Sequence, residues 1–265
     1  MDVLKVLNRS NCRECGLPTC MAFAVMVAQG QKELSECPYV DGEIKERMKG
    51  AVVQNKQSLK ERRDELLYRL KQDVASVDFT KIADKIGAEV NNGRLVIRCL
   101  GRIFELDQFG ELHSLSHVNS WVHLPIINYV VHSAGRDLNG EWVPFSELKH
   151  AADWVRFFEK RCVEVMRDLA DDQPELFLNI VGLFSSKELG DQADASESAD
   201  HVFTLFPLPK VPMKISVWEA DGQFESNLTL LFDRSAEVNL GVEALYMLCV
   251  GFLKMLKRIS QTHSA

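Results

Sequence analysis

Four cysteines within the first forty residues constrain the fold of this 265-residue chain more than any other feature. Their spacing is C-x2-C-x4-C-x16-C, with Pro38 directly after the last, and they are Cys12, Cys15, Cys20 and Cys37. A [4Fe–4S] cluster takes one thiolate per iron from closely spaced cysteines and a later one, often followed by proline. Structural zinc usually takes its ligands as two tight cysteine pairs, and only Cys12 and Cys15 form such a pair. The spacing therefore favours one [4Fe–4S] cluster, with zinc as the alternative.

The composition indicates a globular chain with one full-sized core and a small appendage, since 46% of the residues are hydrophobic and 26% are charged. The longest apolar run, residues 21–28, is far too short to span a bilayer. The first residues also lack the apolar stretch of a signal peptide. We therefore expect a cytoplasmic protein without a membrane span. In that reducing compartment the seven cysteines should be metal ligands or buried thiols, not disulfides.

The net charge of −7 is unevenly distributed along the chain. Residues 1–40 hold four basic and four acidic side chains, residues 41–75 hold nine and seven, and residues 76–265 hold 18 and 27. A surface that follows nucleic-acid phosphates needs clustered lysine and arginine without interleaved acids. The charge pattern therefore predicts no nucleic-acid partner. The acidic excess suits a protein that docks basic partners, or simply one that stays soluble.

The residues around Cys20 have the pattern of a helix start. Pro18 and Thr19 precede the apolar run, and Gly30 stands where a glycine would end the helix. Cys20 then lies on the first helical turn. Free backbone N–H groups and the positive end of the helix dipole favour a negatively charged thiolate cluster at that place.

The N-terminal residues resemble the [4Fe–4S] domain at the N-terminus of the large subunit of corrinoid iron–sulfur proteins. The resemblance covers about residues 1–40 and includes Gly16, Pro18, Thr19 and Phe23 as well as the four cysteines. Related domains occur in subunits of anaerobic electron-transfer complexes, so the resemblance implies anaerobic metabolism and a corrinoid or other redox partner. Arg13 departs from the glycine expected in many relatives. A cation there should favour the reduced state of a cluster.

The remainder, from about residue 66 to residue 259, resembles a family defined by domain of unknown function 3786. This resemblance implies no reaction. It suggests that the fusion of a small cluster domain to this larger domain is a standing arrangement. The segments that carry it are residues 140–145, 208–213, 217–219 and 231–235.

A charged helical stretch separates the two parts. Apolar residues between Ile44 and Val74 recur mostly at steps of three, four or seven, which is typical of a helix with one narrow apolar stripe. A continuous helix over residues 43–74 would be roughly 45 Å long. It would act either as a strut that positions the cluster or as an ordinary helix packed along the main body. We predict a cluster domain at 1–40, a helical linker at 41–75 and an α+β domain at 76–265.

The larger domain shows helix and strand patterns grouped along the chain. Asn91-Asn92-Gly93 is a hairpin signal between two strand patterns. Strands at both ends of a helical middle favour one mixed, mainly antiparallel sheet with helices on one face, and an α+β fold class. We predict strands at 88–90, 94–99, 101–106, 202–206, 213–219 and 228–232, and helices at 77–87, 124–133, 154–170, 174–184 and 242–258.

The larger domain offers no recognised catalytic motif, because the nucleophile elbow, phosphate loop, dinucleotide fingerprint and zinc-protease motif are all missing. Its densest polar group is His113, His117 and His123 with Ser116 and Asn119. His113 and His117 on one helix face would suit a metal or a tetrapyrrole, although solvated loop histidines are the plainer interpretation.

Two further sets of residues have structural roles as their default interpretation. Cys99, Cys162 and Cys249 lie in apolar elements and are expected to be buried thiols. Trp218, Glu219, Asp221 and Asp233 lie on the strands that carry the family resemblance. The sequence identifies no catalytic residue, so whether the larger domain has any stays open.

The ligand count favours electron transfer over Lewis-acid catalysis, because four local cysteines are available for four irons and leave none open. The leading hypothesis is a low-potential one-electron carrier that serves a corrinoid protein or another redox partner. The alternative is a non-catalytic subunit or scaffold, in which the cluster is structural and the larger domain binds a partner. A third hypothesis makes the larger domain an enzyme supplied with electrons by the cluster.

Overall fold

The structure is a computed structural model that describes residues 3–28, 32–45, 64–115, 118, 120–185, 199–220 and 225–263. The chain divides into two units, Met1–Tyr68 and Arg69–Ala265. Most of the predicted linker helix lies outside the described residues, and on either side of the gap residues 42–45 and 64–74 are helical. Of the predicted apolar stripe, Leu70 and Val74 are buried, whereas Leu66 is exposed.

The N-terminal unit is built around one helix, α1 (Cys20–Ala28), flanked by two short 3-10 helices at Val3–Val6 and Leu34–Glu36. α1 begins where the sequence predicts, because the Thr19 hydroxyl accepts a hydrogen bond from the Ala22 N–H (3.1 Å). Its buried face forms a small core with the flanking segments. The buried members of that core are Val3, Leu7, Cys20, Phe23, Ala24, Val27, Leu34, Cys37 and Val40.

The larger unit begins with a helix and an antiparallel sheet. The helix, α2 (Phe79–Ile86), is capped by the Asp78 side chain, which accepts the Thr80 N–H. Asn92 and Gly93 both have positive φ, as the predicted two-residue hairpin requires. The sheet order is β1-β2-β3-β4 and every pair is antiparallel. The strands are β1 (Glu89–Asn91), β2 (Arg94–Cys99), β3 (Arg102–Leu106) and β4 (Leu112–His113).

A second antiparallel sheet has the order β5-β8-β7-β6. Its strand β7 is buried along nearly its whole length, since both of its faces are covered, and its residues are apolar except for the buried Lys214 and Ser216. The strands are β5 (Trp142–Pro144), β6 (His201–Leu208), β7 (Val211–Trp218) and β8 (Asn227–Asp233).

Helices cover this sheet and meet one another at close range. The longest two pack together where a Cβ added at Gly251 would lie 2.5 Å from the Trp121 ring, so this contact requires glycine. A π-helical turn at Glu159–Val163 connects two of these helices, Val155–Phe158 and Glu164–Asp172, into one continuous helix. The helices are α3 (Ser120–His132), α4 (Val155–Phe158), α5 (Glu164–Asp172), α6 (Pro174–Gly182), α7 (Ala236–Asn239) and α8 (Val242–His263).

The α+β class predicted from the sequence is confirmed, but the strands form two antiparallel sheets and not the single sheet that we expected. The two sheets approach each other where Leu100 N–H donates to Phe206 O (3.2 Å). This contact is no ladder of paired strands, so the sheets stay separate. Within the described ranges, no helix has both the length and the apolar character needed to cross a membrane.

Candidate metal centre

Two hydrogen bonds join Asn11 to Cys20 at the start of α1. The Asn11 side-chain oxygen accepts the Cys20 N–H (2.8 Å), and the Asn11 N–H points at the Cys20 sulfur (3.4 Å). The first contact satisfies a backbone donor that a helix start leaves free. The second directs a partial positive charge at a sulfur atom, and hydrogen bonds to sulfur are among the features that set the potential of a bound cluster.

The loop before α1 is coiled by residues with left-handed backbone. Arg9, Asn11, Arg13 and Gly16 all have φ between +51° and +77°. Such values are uncommon outside glycine and concentrate at functional sites. The Gly16 N–H closes a turn onto Arg13 O (2.9 Å). This turn contains Glu14 and brings the chain from Cys12 to Cys15 around a tight bend.

The four cysteines have graded exposure around the N-terminal core. Cys20 and Cys37 are buried in it, Cys15 is half-buried and packs against it, and Cys12 is exposed. A hydrogen bond to Glu14 raises the pKa of the Tyr39 hydroxyl, as do the charges of Glu14, Cys12 and Cys37.

A hydrogen bond joins the two arms of the chain that carry the cysteines. The Tyr39 hydroxyl donates to a carboxylate oxygen of Glu14 (2.6 Å). Glu14 lies between Cys12 and Cys15, and Tyr39 follows Cys37 by two residues. The contact therefore connects the loop with the first two cysteines to the segment with the last one.

The donor set suits an iron–sulfur cluster. In the part of the chain that the structure describes, no three histidine, cysteine, aspartate or glutamate side chains are grouped to hold one metal ion. A [4Fe–4S] cluster takes one thiolate for each of its four irons, so its ligands surround a cube-shaped cluster and do not converge on a single metal ion. Three of the four cysteines share one core and the fourth lies three residues before one of them. The four thiols thus match the chemistry of a cluster in number and type.

We expect Asn11→Ala to weaken the cysteine site. The substitution removes the acceptor of the Cys20 N–H and should destabilise the N-terminal unit by about 1 kcal/mol. In protein reconstituted without oxygen, the iron–sulfur absorbance should decay faster in air. Asn11→Asp keeps the acceptor and serves as the control. Equal decay rates for Asn11→Ala and the unchanged chain would show that this hydrogen bond does not support the site.

The histidine group predicted from the sequence is not a shared helix face. His113 lies in strand β4, where its Nε2 donates to Asp107 Oδ2 (2.8 Å). His123 lies in α3 and its Nε2 donates to Gly110 O (2.8 Å). His117, Ser116 and Asn119 lie outside the described residues. Both described histidines therefore tie down the turn between β3 and β4.

The His123 contact predicts a pH dependence of stability. Burial lowers the pKa of His123 below its ordinary value of 6.5, against the opposing effect of the Gly110 hydrogen bond. The unfolded chain then takes up a proton at a higher pH than the folded chain, so stability falls as the pH drops below about 6.5. We expect His123→Gln to reduce the loss of stability between about pH 7.5 and about pH 5.5, measured by urea unfolding. The same substitution at the exposed His150 should leave that loss unchanged.

The other three cysteines are buried thiols, as the sequence suggested. Cys99, Cys162 and Cys249 are between 0% and 3% exposed. Burial raises the pKa of Cys99 and of Cys162 to about 12. Burial raises the pKa of Cys249 well above its ordinary value, and the charge of a Cys162 thiolate would raise it further. All three stay protonated near neutral pH.

Asp233 has a structural role. Its buried carboxylate accepts the N–H groups of Gly140 (2.8 Å), Ser235 (2.9 Å) and Asn139 (3.4 Å). These bonds tie the segment before β5 to the end of β8. Two of the four segments that carried the family resemblance, residues 140–145 and 231–235, are therefore joined in the second sheet.

Two family models match the chain. The model described as "Domain of unknown function (DUF3786)" matches residues 78–255, which is more than half of the chain. The model described as "Putative Fe-S cluster" matches residues 7–39. That second range contains all four N-terminal cysteines with Asn11, Glu14 and Tyr39. No solved structure matches the chain.

Two curated proteins are similar to the N-terminal segment. The corrinoid/iron-sulfur protein large subunit of Moorella thermoacetica is 43% identical over 51 residues, which is 19% of this chain. The acetyl-CoA decarbonylase/synthase complex subunit gamma of Methanocaldococcus jannaschii is 33% identical over 54 residues, or 20% of this chain. The chain spans only 11% of the length of each relative. These matches support an iron–sulfur cofactor in the N-terminal segment.

Proposed function

The chain belongs to the DUF3786 family, and we propose that its N-terminal segment, which matches the Fe-S cluster model, holds one [4Fe–4S] cluster and carries single electrons to a partner protein. The observation that supports this best is the gathering of Cys15, Cys20 and Cys37 at one small core, with Cys12 on the same loop as Cys15. When bound, such a cluster supplies reversible one-electron transfer. The reducing cytoplasm, where thiols stay free, is the compartment that suits these ligands.

Each of the four cysteines would bind one iron, and the charges and dipoles of the surrounding residues would influence the reduction potential of the cluster. The Asn11 N–H donates toward the Cys20 sulfur, and the N-terminus of α1 adds the positive end of a helix dipole. The Arg13 cation lies between Cys12 and Glu14 along the chain, where Glu14 partly offsets it. Four thiolate ligands concentrate negative charge, so we propose a low reduction potential.

The two sides of the site differ in solvent access. Cys20 and Cys37 are buried on the core side and exclude water there, whereas Cys12 is exposed. We propose that a partner approaches the side of Cys12 and exchanges electrons there. Both relatives are named as subunits of larger proteins, one of them a corrinoid/iron-sulfur protein. A corrinoid protein or another anaerobic redox protein is therefore the proposed partner.

Electron paramagnetic resonance tests the proposed electron transfer. Protein reconstituted without oxygen should be brown, and dithionite should produce the signal of a singly reduced cluster that disappears on reoxidation. A colourless protein, a protein that contains zinc, or a cluster that dithionite does not reduce reversibly would contradict the proposal.

A structural cluster is the second candidate function. The N-terminal core is small, and two of its buried members are cysteines, so a cluster would supply much of what holds this unit together. The larger unit would then bind the partner. Comparing the unchanged chain with Cys15→Ser distinguishes the two functions once a partner is identified. If Cys15→Ser loses electron transfer but still binds the partner, the protein is an electron carrier. If the unchanged chain binds the partner but transfers no electrons, the cluster is structural and the protein is a scaffold.

A further inference from the structure

The charges of the N-terminal unit are segregated along the chain. Residues 3–20, which contain the first three cysteines, hold three basic side chains and one acidic side chain, whereas residues 32–45 hold two basic and four acidic ones. The three cations of the first segment are Lys5, Arg9 and Arg13, and all are exposed. Although the whole chain carries a net charge of −7, the segment around the exposed Cys12 is therefore basic.

The two arginines next to Cys12 are not neutralised by their neighbours. In the part of the chain that the structure describes, no group forms an ion pair or a hydrogen bond with the Arg9 or Arg13 guanidinium. Glu14 is the acid of their segment, and its carboxylate accepts the Tyr39 hydroxyl (2.6 Å). Burying an unpaired charge costs free energy. A protein that covers this surface must therefore present negative groups to the two arginines.

The backbone holds both arginines close to the cysteine site. Arg9 and Arg13 stand two residues before and two residues after Asn11, whose amide nitrogen lies 3.4 Å from the Cys20 sulfur. Two residues of chain span at most about 7 Å, so both arginine Cα atoms lie within that distance of the Asn11 Cα. Both arginines also have left-handed backbone, with φ of 56° and 67°. Long side chains seldom adopt this conformation, and it concentrates at functional sites.

Exposed apolar side chains adjoin the same site. Met21 directly follows Cys20 and is 62% exposed, and Val25, one turn further along α1, is 45% exposed. Protein interfaces combine an apolar centre, in which methionine is enriched, with a polar rim whose charges select the partner. Met21 and Val25 offer such an apolar contact. The two arginines supply the charge beside it.

We propose that the redox partner docks beside Cys12 through an acidic surface patch, whose carboxylates pair with Arg9 and Arg13 around an apolar contact with Met21. The inference rests on the proposed electron transfer and specifies the chemistry of the partner. A basic partner surface would be repelled by the same two arginines. An apolar surface without carboxylates would bury them unpaired.

Relaxation of the electron paramagnetic resonance signal measures which charges reach the cysteine site. Two redox-inert, paramagnetic complexes of opposite charge serve as probes: the hexacyanochromate(III) anion and the tris(ethylenediamine)chromium(III) cation. On the reduced full chain at low ionic strength, the anion should shorten the relaxation time of the cluster signal. The double substitution Arg9→Asn and Arg13→Asn should reduce that effect on the order of fivefold. At about 0.5 M salt the difference should vanish, because exposed charges are then screened within a few ångströms.

Control variants separate charge from backbone effects. Asparagine tolerates left-handed backbone, so the double substitution removes charge without added strain. Replacing both arginines by lysine keeps the charges and should retain the effect. Arg156→Asn removes an exposed charge from α4 of the larger unit and should also retain it. If the asparagine variant holds no cluster, Arg13→Gly measures the loss of one charge, because glycine is unstrained at positive φ.

Calorimetry with poly-glutamate, a model of an acidic protein surface, tests the docking itself and needs no reducible cluster. Poly-glutamate should bind the unchanged full chain, and the double asparagine variant should bind it about fivefold more weakly. Arg156→Asn should leave the affinity unchanged.

Three results would overturn the inference. The arginine substitutions could leave both anion access and poly-glutamate affinity unchanged, or the cationic probe could reach the unchanged chain more readily than the anionic one. The substitutions could also shift the reduction potential alone, which would show that the arginines serve only the cluster. A chain without a reducible cluster contradicts the proposed function instead, and the poly-glutamate affinity then still decides whether this surface binds an acidic partner.

Discussion

Cys15→Ser is expected to leave the protein with almost no bound iron or sulfide after reconstitution without oxygen, where the unchanged chain should hold about four of each. Cys15 is half-buried against the N-terminal core, between the exposed Cys12 and the buried Cys20. The serine hydroxyl is a much poorer iron ligand than a cysteine thiolate, because it gives up its proton far less readily, so one iron would be weakly held. Iron and sulfide analysis, with the visible absorption spectrum, measures the loss.

Cys99→Ala provides the matched control for this substitution. Cys99 is 2% exposed in β2 of the larger unit, and burial keeps its thiol protonated. The control should retain the full content of iron and sulfide. Retention of iron in Cys15→Ser would contradict the assignment of Cys15 as a ligand. About one zinc per unchanged chain, without sulfide, would instead support the zinc alternative.

Phe232→Ala should destabilise the larger unit by about 3–5 kcal/mol. Phe232 is fully buried in β8, which pairs with both β5 and β7. Its ring packs edge-on against Phe145 and Phe158, with centroid distances of 6.3 Å and 5.8 Å. Those two rings are stacked on each other at 4.1 Å. Truncation would leave a cavity bounded by rigid rings that cannot easily collapse. Urea unfolding followed by tryptophan fluorescence measures the change in free energy.

Phe109→Ala is the control, because the Phe109 side chain is 80% exposed in the turn before β4. It should change the unfolding free energy by less than about 0.5 kcal/mol. If Phe232→Ala costs no more than Phe109→Ala, the aromatic cluster does not anchor the second sheet.

Local patterns predicted the elements of this fold well. The Asn92-Gly93 turn, the start of α1 after Thr19 and the helix predicted at 77–87 each depend on residues only a few positions apart. The separation into two sheets was not predictable in this way. Whether β6 to β8 join the first sheet depends on packing between residues a hundred positions apart, of which the Leu100 to Phe206 contact is one.

The candidate sites also contain some features that local sequence patterns predicted and others that they did not. The four cysteines were found from spacing, because cluster ligands of this type lie close together along the chain. The hydrogen bond between Tyr39 and Glu14 joins residues 25 positions apart in the sequence, and no periodic pattern predicts it. A π turn at Glu159–Val163 also escapes helix patterns, which assume a constant 3.6-residue period.

The sequence alone therefore determined the candidate ligand set for a metal centre, the α+β class and most of the helices and strands, since each follows from residue chemistry or from periodicity over short stretches. Only the tertiary structure decided the division into two sheets, the burial of Cys20 and Cys37 and the exposure of Cys12. The physical reason is that burial and long-range contacts result from many weak interactions that form together when the chain folds. No single segment of the chain contains that information.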